Sequence, residues 1–161
     1  MAASSTYTPI ATTTLGSAQS SYTFSSIAGT YTDLVLIGDL GTSANADIYL
    51  RFNGDTSSNY SDTQMYGTGS TAASDRSTNQ TKVFTGFNAS TDRLMIKVDI
   101  MNYANATTFK TILVRNGGST DNVRARVDLW RITPVGITSV EIFTSSGNIT
   151  TGSTFTLYGI A

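Results

Sequence analysis

The 161-residue chain contains no histidine and no cysteine, and Glu141 is its one glutamate. The usual general acid–base residue, the thiol nucleophile and the common transition-metal ligands are therefore absent or scarce. Charged residues make up 13% of the chain and balance to a net charge of −1, so no basic surface draws in a polyanion and nucleic-acid binding is not expected.

Read in chain order, the sequence predicts an all-β fold. Thr, Ile, Val, Tyr and Phe dominate the apolar runs, these residues favour strands, and no stretch keeps a helical period. Candidate strands are YTPIATTTL from Tyr7, SYTFSS from Ser21 and TDLVLIG from Thr32. In the last of these, Leu34 to Ile37 are apolar without alternation, as in a central strand covered on both faces. DIYLRFN turns Ile48, Leu50 and Phe52 inward and Tyr49 and Arg51 outward. The next stretch, residues 54–80, is polar, with Tyr60, Met65 and Tyr66 as its large anchors. It is expected to be a long loop with at most one short strand, either exposed to solvent or reaching a neighbouring subunit.

TKVFTGF from Thr81 follows, then RLMIKVDIMNY, where Leu94, Ile96, Val98 and Ile100 alternate with Met95, Lys97, Asp99 and Met101. TFKTILVR from Thr108 and VRARVDLWRI from Val123 come next. In the latter, Arg124, Arg126, Asp128 and Trp130 share one face while Val127 and Leu129 point the other way. That polar face suits a protein interface with ion pairs, or a solvated strand face. TSVEIFT and STFTLYGI complete the set, with Val140 and Ile142 inward and Glu141 and Phe143 outward. Turn signals stand at Asn53–Asp55, Asn116–Gly118 and Ser146–Asn148. About ten short strands with such punctuation predict an antiparallel β-sandwich, jelly-roll-like, in a single domain over residues 1–161. Residues 1–20 read as an N-terminal arm or a packed edge strand anchored by Tyr7, Ile10 and Leu15. Met1 is expected to be tied to a sheet or a neighbouring chain, since free termini fray.

Few residues here carry chemistry. A serine nucleophile needs a base, and Lys82, Lys97 and Lys110 sit in strands without a supporting motif. Asp55, Asp62, Asp75, Asp92 and Asp121 read as turn residues rather than a carboxylate pair. Asn53, Asp55, Asn59 and Asp62 form an oxygen-rich stretch readable as turn chemistry or as a calcium patch. Trp130 reads as a core or interface residue, with a sugar-stacking platform as the other option. No enzyme activity and no cofactor are expected. No run of about 18 apolar residues occurs, so no membrane partner is expected. The opening MAASSTYTPIATTT lacks a basic and an apolar region, so no secretory signal is expected and synthesis is expected in a cytoplasm. Low charge and Thr-rich strand edges suit a surface buried in an assembly.

The segments YTPIATTTLGSAQSSYTFSSIAGTYTDLVLIG, RFNGDTSSNYS and GSTFTLYGI resemble, in style and order, a family of small virion proteins of tailed bacteriophages. TFKTILVR and VDLWRITPVGITSVEIF fall where that family has its later strands, and residues 60–80 resemble it least. The resemblance implies a structural virion protein, most naturally a head decoration (cement) protein. Its partners would be the major capsid protein and copies of itself, as a trimer seated between capsomers. A tail-fibre or receptor-binding, carbohydrate-binding module is the alternative. The expected contact residues are Tyr7, Ile10, Tyr60, Met65, Tyr66, Arg124, Arg126 and Trp130.

Overall fold

In the computed structural model, which describes residues 6–88, 90, 92–118 and 123–161, two antiparallel sheets face each other across an apolar core. Met1 and the turn expected around Asp121 lie outside the described residues. Among the described residues there are twelve strands: β1 (Tyr7–Thr14), β2 (Ser21–Phe24), β3 (Asp33–Leu40), β4 (Ala46–Phe52), β5 (Tyr60–Gly67), β6 (Ala72–Gln80), β7 (Val83–Asn88), β8 (Leu94–Met101), β9 (Lys110–Gly118), β10 (Val123–Trp130), β11 (Val140–Thr144) and β12 (Thr154–Ile160). The large sheet has the order β1-β12-β3-β8-β9-β10-β5-β6 and the small one β2-β11-β4-β7. The fold is the all-β, jelly-roll-like sandwich that the alternation predicts.

The core forms where period-two apolar sets from both sheets meet. Leu94, Ile96, Val98 and Ile100 of β8 are buried, as are Ile48, Leu50 and Phe52 of β4 and Val140 and Ile142 of β11. Leu34, Leu36 and Leu40 of β3 are buried in the core and Val35 is buried too, but Ile37, Asp33 and Asp39 are only half-buried, so the expected cover on both faces does not extend along the strand. Register follows from these sets, because a one-residue slip would turn every one of them outward. β1 is the packed edge strand: among the described residues it pairs with β12 alone, and Ile10 sits half-buried against the core.

The stretch 54–80 is not a long loop. It forms β5 and β6, which pair as a hairpin at the far edge of the large sheet. Asp62 and Asp75, expected in turns, are strand residues. The expected turn at Asn116–Gly118 is likewise strand, because β9 runs to Gly118 opposite Leu94 of β8. The other two turn signals hold. Asn53 and Gly54 take positive φ (51° and 67°), and the Asn53 carboxamide accepts from the Thr138 and Ser139 amides and donates to the Gly136 carbonyl. Gly147 also has positive φ, 62°.

Gly159 is required for space. A Cβ at Gly159 would stand 2.3–2.5 Å from three ring carbons of Tyr31. Gly159→Ala is therefore expected to cost about 1–3 kcal/mol in urea unfolding through overpacking. The cost should largely vanish when Tyr31 is also truncated to Ala. An equal cost in both backgrounds would show that the ring is not what excludes the methyl.

Candidate functional site

The large sheet is wider than the small one, and its excess lies at β10, β5 and β6. β7, the edge of the small sheet, packs over β8 and β9 and only touches β5. The inner face of β5 and β6 therefore opens into a cleft of about 210 Å³ beside β7, with Tyr49, Gln64, Gln80, Lys82, Phe84, Arg124 and Arg126 among its lining residues.

A buried charge cluster forms one wall of this cleft. Strand pairing sets Arg126 beside Gln64 and Asp128 beside Asp62. The Arg126 guanidinium donates from Nε and Nη2 to the two carboxylate oxygens of Asp128, each at 2.8 Å, and its Nη2 lies 2.9 Å from Asp62 Oδ2. All three side chains are nearly inaccessible, at 5%, 1% and 3% exposure. One cation thus serves two carboxylates. Burial pushes the Asp128 carboxyl up to about 6, against the opposing pull of Arg126. Burial also raises Asp62, and Arg126 opposes it there too. Asp75, beside Gln64 on β6, raises Asp62 further, and the Ser77 hydroxyl across from Asp62 lowers it.

Above the cluster, cations lie over aromatic rings. Arg124 Cζ is 5.0 Å from the centroids of both Tyr66 and Phe84, and Arg126 Cζ is 5.3 Å from Phe84. Lys82 Nζ is 4.0 Å above Tyr49. The Tyr49 hydroxyl donates to Asp47 Oδ2 at 2.8 Å, and burial together with that carboxylate pushes it up to about 12. Arg124 Nη1 donates to Gln64 Oε1 at 3.1 Å. Among the described residues, neither Arg124 nor Lys82 has a carboxylate within ion-pair distance, whereas Arg51, Arg93, Lys97, Arg115 and Arg126 all do.

The opposite, outer face of the same strands is apolar. Val123 and Met65 are 64% and 66% exposed, and Met95, Met101, Val127 and Leu129 are also exposed. Register groups them: Met65 lies beside Ala125, Val127 beside Leu113, and Val123 beside Gly117, which in turn faces Met95. Arg115, Lys97 and Asp99 stand next to this patch as an ion-pair trio, at 2.8 and 3.1 Å. Strand β10 thus reverses the expected sense of its two faces. The polar set, Arg126 and Asp128 with Trp130, is inside the sandwich, and Val123, Val127 and Leu129 are outside.

The structure separates the eight residues expected to make contacts. Tyr66, Arg124 and Arg126 meet at the cleft, although Arg126 is too deeply buried to be a contact residue itself. Met65 belongs to the outer patch. Tyr7, edge-on to Tyr158 at 5.9 Å, and half-buried Ile10 lie on the opposite edge strand. Tyr60 and Trp130 are not surface contacts at all. They are 0% and 1% exposed and stack on each other in the core at 6.3 Å and 23°, with Phe52 alongside, so Trp130 offers no platform to a sugar either. The Asn53–Asp62 stretch does not converge as a calcium patch. The Asp55 carboxylate receives the Trp130 indole N–H at 2.7 Å, the Asn59 amide and the Ser57 backbone N–H, and Asp62 turns to Arg126. Tyr49 and Phe84, on strands of the other sheet, and Lys82, in the bend before β7 and not in a strand as expected, escape sequence reasoning because they come from outside the large sheet. Their only signal is the Lys82–Phe84 alternation.

No protein-family model matches the chain, and no curated protein matches it in sequence. Among solved structures it is similar to the galectin LEC-6 of Caenorhabditis elegans, with 11% identity and a TM-score of 0.36, over 93% of this chain and 95% of that one. A tetrameric galectin from the ball sponge Cinachyrella sp. gives 9% identity and a TM-score of 0.35, over 88% of this chain and 99% of that one. Neither likeness is close enough to transfer a ligand or a residue role.

Proposed function

We propose that the protein is a non-catalytic assembly module, a phage virion structural protein that decorates the capsid by docking the outer face of its large sheet onto the shell. The observation that carries this reading is the reversed β10, which leaves Val123, Val127 and Leu129 exposed beside Met65 while the charged residues of the same strand are inside. A contiguous exposed apolar patch bordered by polar residues marks an interaction surface. The sequence resemblance to small virion proteins supports the choice of partner. Binding to the assembled shell alone would stabilise it against dissociation by mass action.

The test uses shells lacking the protein, purified protein added back, and bound copies counted by gel densitometry. Introducing Met65→Glu with Val123→Glu places charge in the centre of the face and is expected to weaken docking by at least about 2 kcal/mol, roughly 30-fold. Val135→Glu, at an exposed apolar position in the segment after β10, is expected to leave occupancy unchanged. Full occupancy by the double variant would remove the outer face from the docking role.

A receptor-binding, saccharide-binding module is the second reading. The open cleft favours it, with Arg124 and Lys82 among its lining residues and Tyr49 and Phe84 offering ring faces.

A further inference from the structure

We propose that the partner of the outer face is an acidic protein surface: an apolar ridge with carboxylates on both flanks, received by Arg115 on one side of β10 and by Arg76 on the other. This inference rests on the outer-face docking reading and specifies the chemistry of the partner.

Register lays out the face. The outward residues of β10 are Val123, Ala125, Val127 and Leu129, all exposed and all apolar, so an apolar column runs the length of the strand. Arg115 of β9 lies beside Ala125, which lies beside Met65. Arg76 of β6 lies beside Thr63, which lies beside Val127. The two arginines therefore stand on opposite sides of the column. They are three strands apart and offset by two residues, which separates their backbones by about 16 Å at about 4.8 Å per strand and 3.4 Å per residue.

The charge on this face has one sign. Within β9, β10, β5 and β6, Arg115 and Arg76 are the outward charged side chains, and the carboxylates Asp62, Asp75 and Asp128 all belong to the inward set. Arg115 is 59% exposed, and it shares its carboxylate, Asp99 of β8, with Lys97, so that trio keeps a net positive charge. Arg76 is exposed and, among the described residues, has no carboxylate within ion-pair distance. A rim of cations around an apolar centre steers an acidic partner in and rejects a basic one.

Shape agrees with charge. Arg115 borders two shallow depressions of about 770 and 500 Å³, with Met65 and Ala125 in the wall of both. Arg76 borders a third of about 250 Å³, together with Val127 and Leu129. Asp62 also lines this one, but its side chain is 3% exposed and held by Arg126. A side chain entering any of the three meets apolar surface along its stem and a guanidinium at the rim, where a carboxylate accepts strong, charge-assisted hydrogen bonds. A phosphate backbone would satisfy the arginines and leave the β10 column wet, whereas an acidic apolar protein surface answers both.

The add-back assay on shells lacking the protein, run between about 50 and 300 mM salt, tests the proposal. Arg76→Gln and Arg115→Gln are each expected to lower docking affinity about tenfold and to flatten its dependence on salt, with the thermal midpoint within a degree or two of wild type. Thr63, exposed between Arg76 and Val127, carries a test of sign. Thr63→Glu is expected to weaken docking about tenfold and Thr63→Lys to hold or strengthen it, a difference that bulk alone does not produce. Equal docking by the two Thr63 variants, unaffected by salt, would overturn the acidic partner and leave outer-face docking standing. Full occupancy by Met65→Glu with Val123→Glu would overturn both. No co-sedimentation with phosphatidylserine vesicles is expected; co-sedimentation lost in Arg76→Gln and Arg115→Gln would assign the arginines to a lipid surface instead.

Discussion

Replacing Arg126 with methionine is expected to destabilise the protein by about 3–5 kcal/mol, because the substitution leaves two buried carboxylates without their cation. The side chains of Asp62 and Asp128 are 3% and 1% exposed, so water cannot take over the lost bonds. The pH dependence separates this cause from a simple packing loss. Asp128 already titrates at about 6 in the fold, against an ordinary value of 3.8. A carboxyl raised on folding keeps its proton longer in the native state than in the unfolded one. Stability therefore falls as pH rises from about 4 to 6 and is flat above. Without Arg126 both carboxyls move further up, and the fall continues past pH 6. Urea unfolding should thus show a deficit that widens from pH 5 to pH 8. Combining Arg126→Met with Asp62→Leu and Asp128→Leu should recover much of the loss, since apolar replacements of a buried ion cluster are often neutral or better. A deficit that does not change with pH would mean that the guanidinium contributes bulk and not charge.

The same cluster shows what was legible in the sequence. Alternation in RLMIKVDIMNY, DIYLRFN and TSVEIFT names the buried face correctly, because in those strands the apolar set is also the inward one. In β10 the division into two faces is equally plain, but the rule that the apolar set points inward selects the wrong one. Its inward charges are tolerable only because β5 brings Asp62 and Gln64 beside them, and β5 is itself concealed. β5 turns Tyr60, Asp62 and Gln64 inward, and β6 contributes no large apolar residue, so neither shows a hydrophobic period. The hairpin is therefore hidden for the same reason that the cleft exists: this end of the large sheet extends past the small sheet and does not need an apolar face. The cleft residues Tyr49, Phe84 and Arg124 come from strands of both sheets and Lys82 from the bend before β7, and only the pairing order brings them together.

Trp130→Ala is expected to cost about 3–5 kcal/mol in the isolated chain, with no partner present, which places the residue in the core and not in an interface. The indole is 1% exposed and packs on Tyr60 and Phe52, so truncation opens a cavity between them. It also removes the N–H that reaches Asp55 Oδ2 at 2.7 Å. The two losses separate in Trp130→Phe, which keeps much of the packing and removes the hydrogen bond, at about 1.5–3 kcal/mol for a bond to a charged acceptor plus a smaller packing loss. Burial pushes the Asp55 carboxyl up, but bonds from Asn59, Trp130 and Ser57 together outweigh it and leave the group below its ordinary 3.8. A carboxyl lowered on folding adds stability that is present above the unfolded value and is lost as pH falls through the folded one. The wild-type chain should therefore lose stability on acidification below about pH 4 through this group, and Trp130→Phe should lose less. Thermal unfolding of both proteins between pH 3 and pH 7 reads the difference. Parallel acid limbs would show that the indole acts on the fold through its bulk alone, with Asp55 held by Asn59 and Ser57.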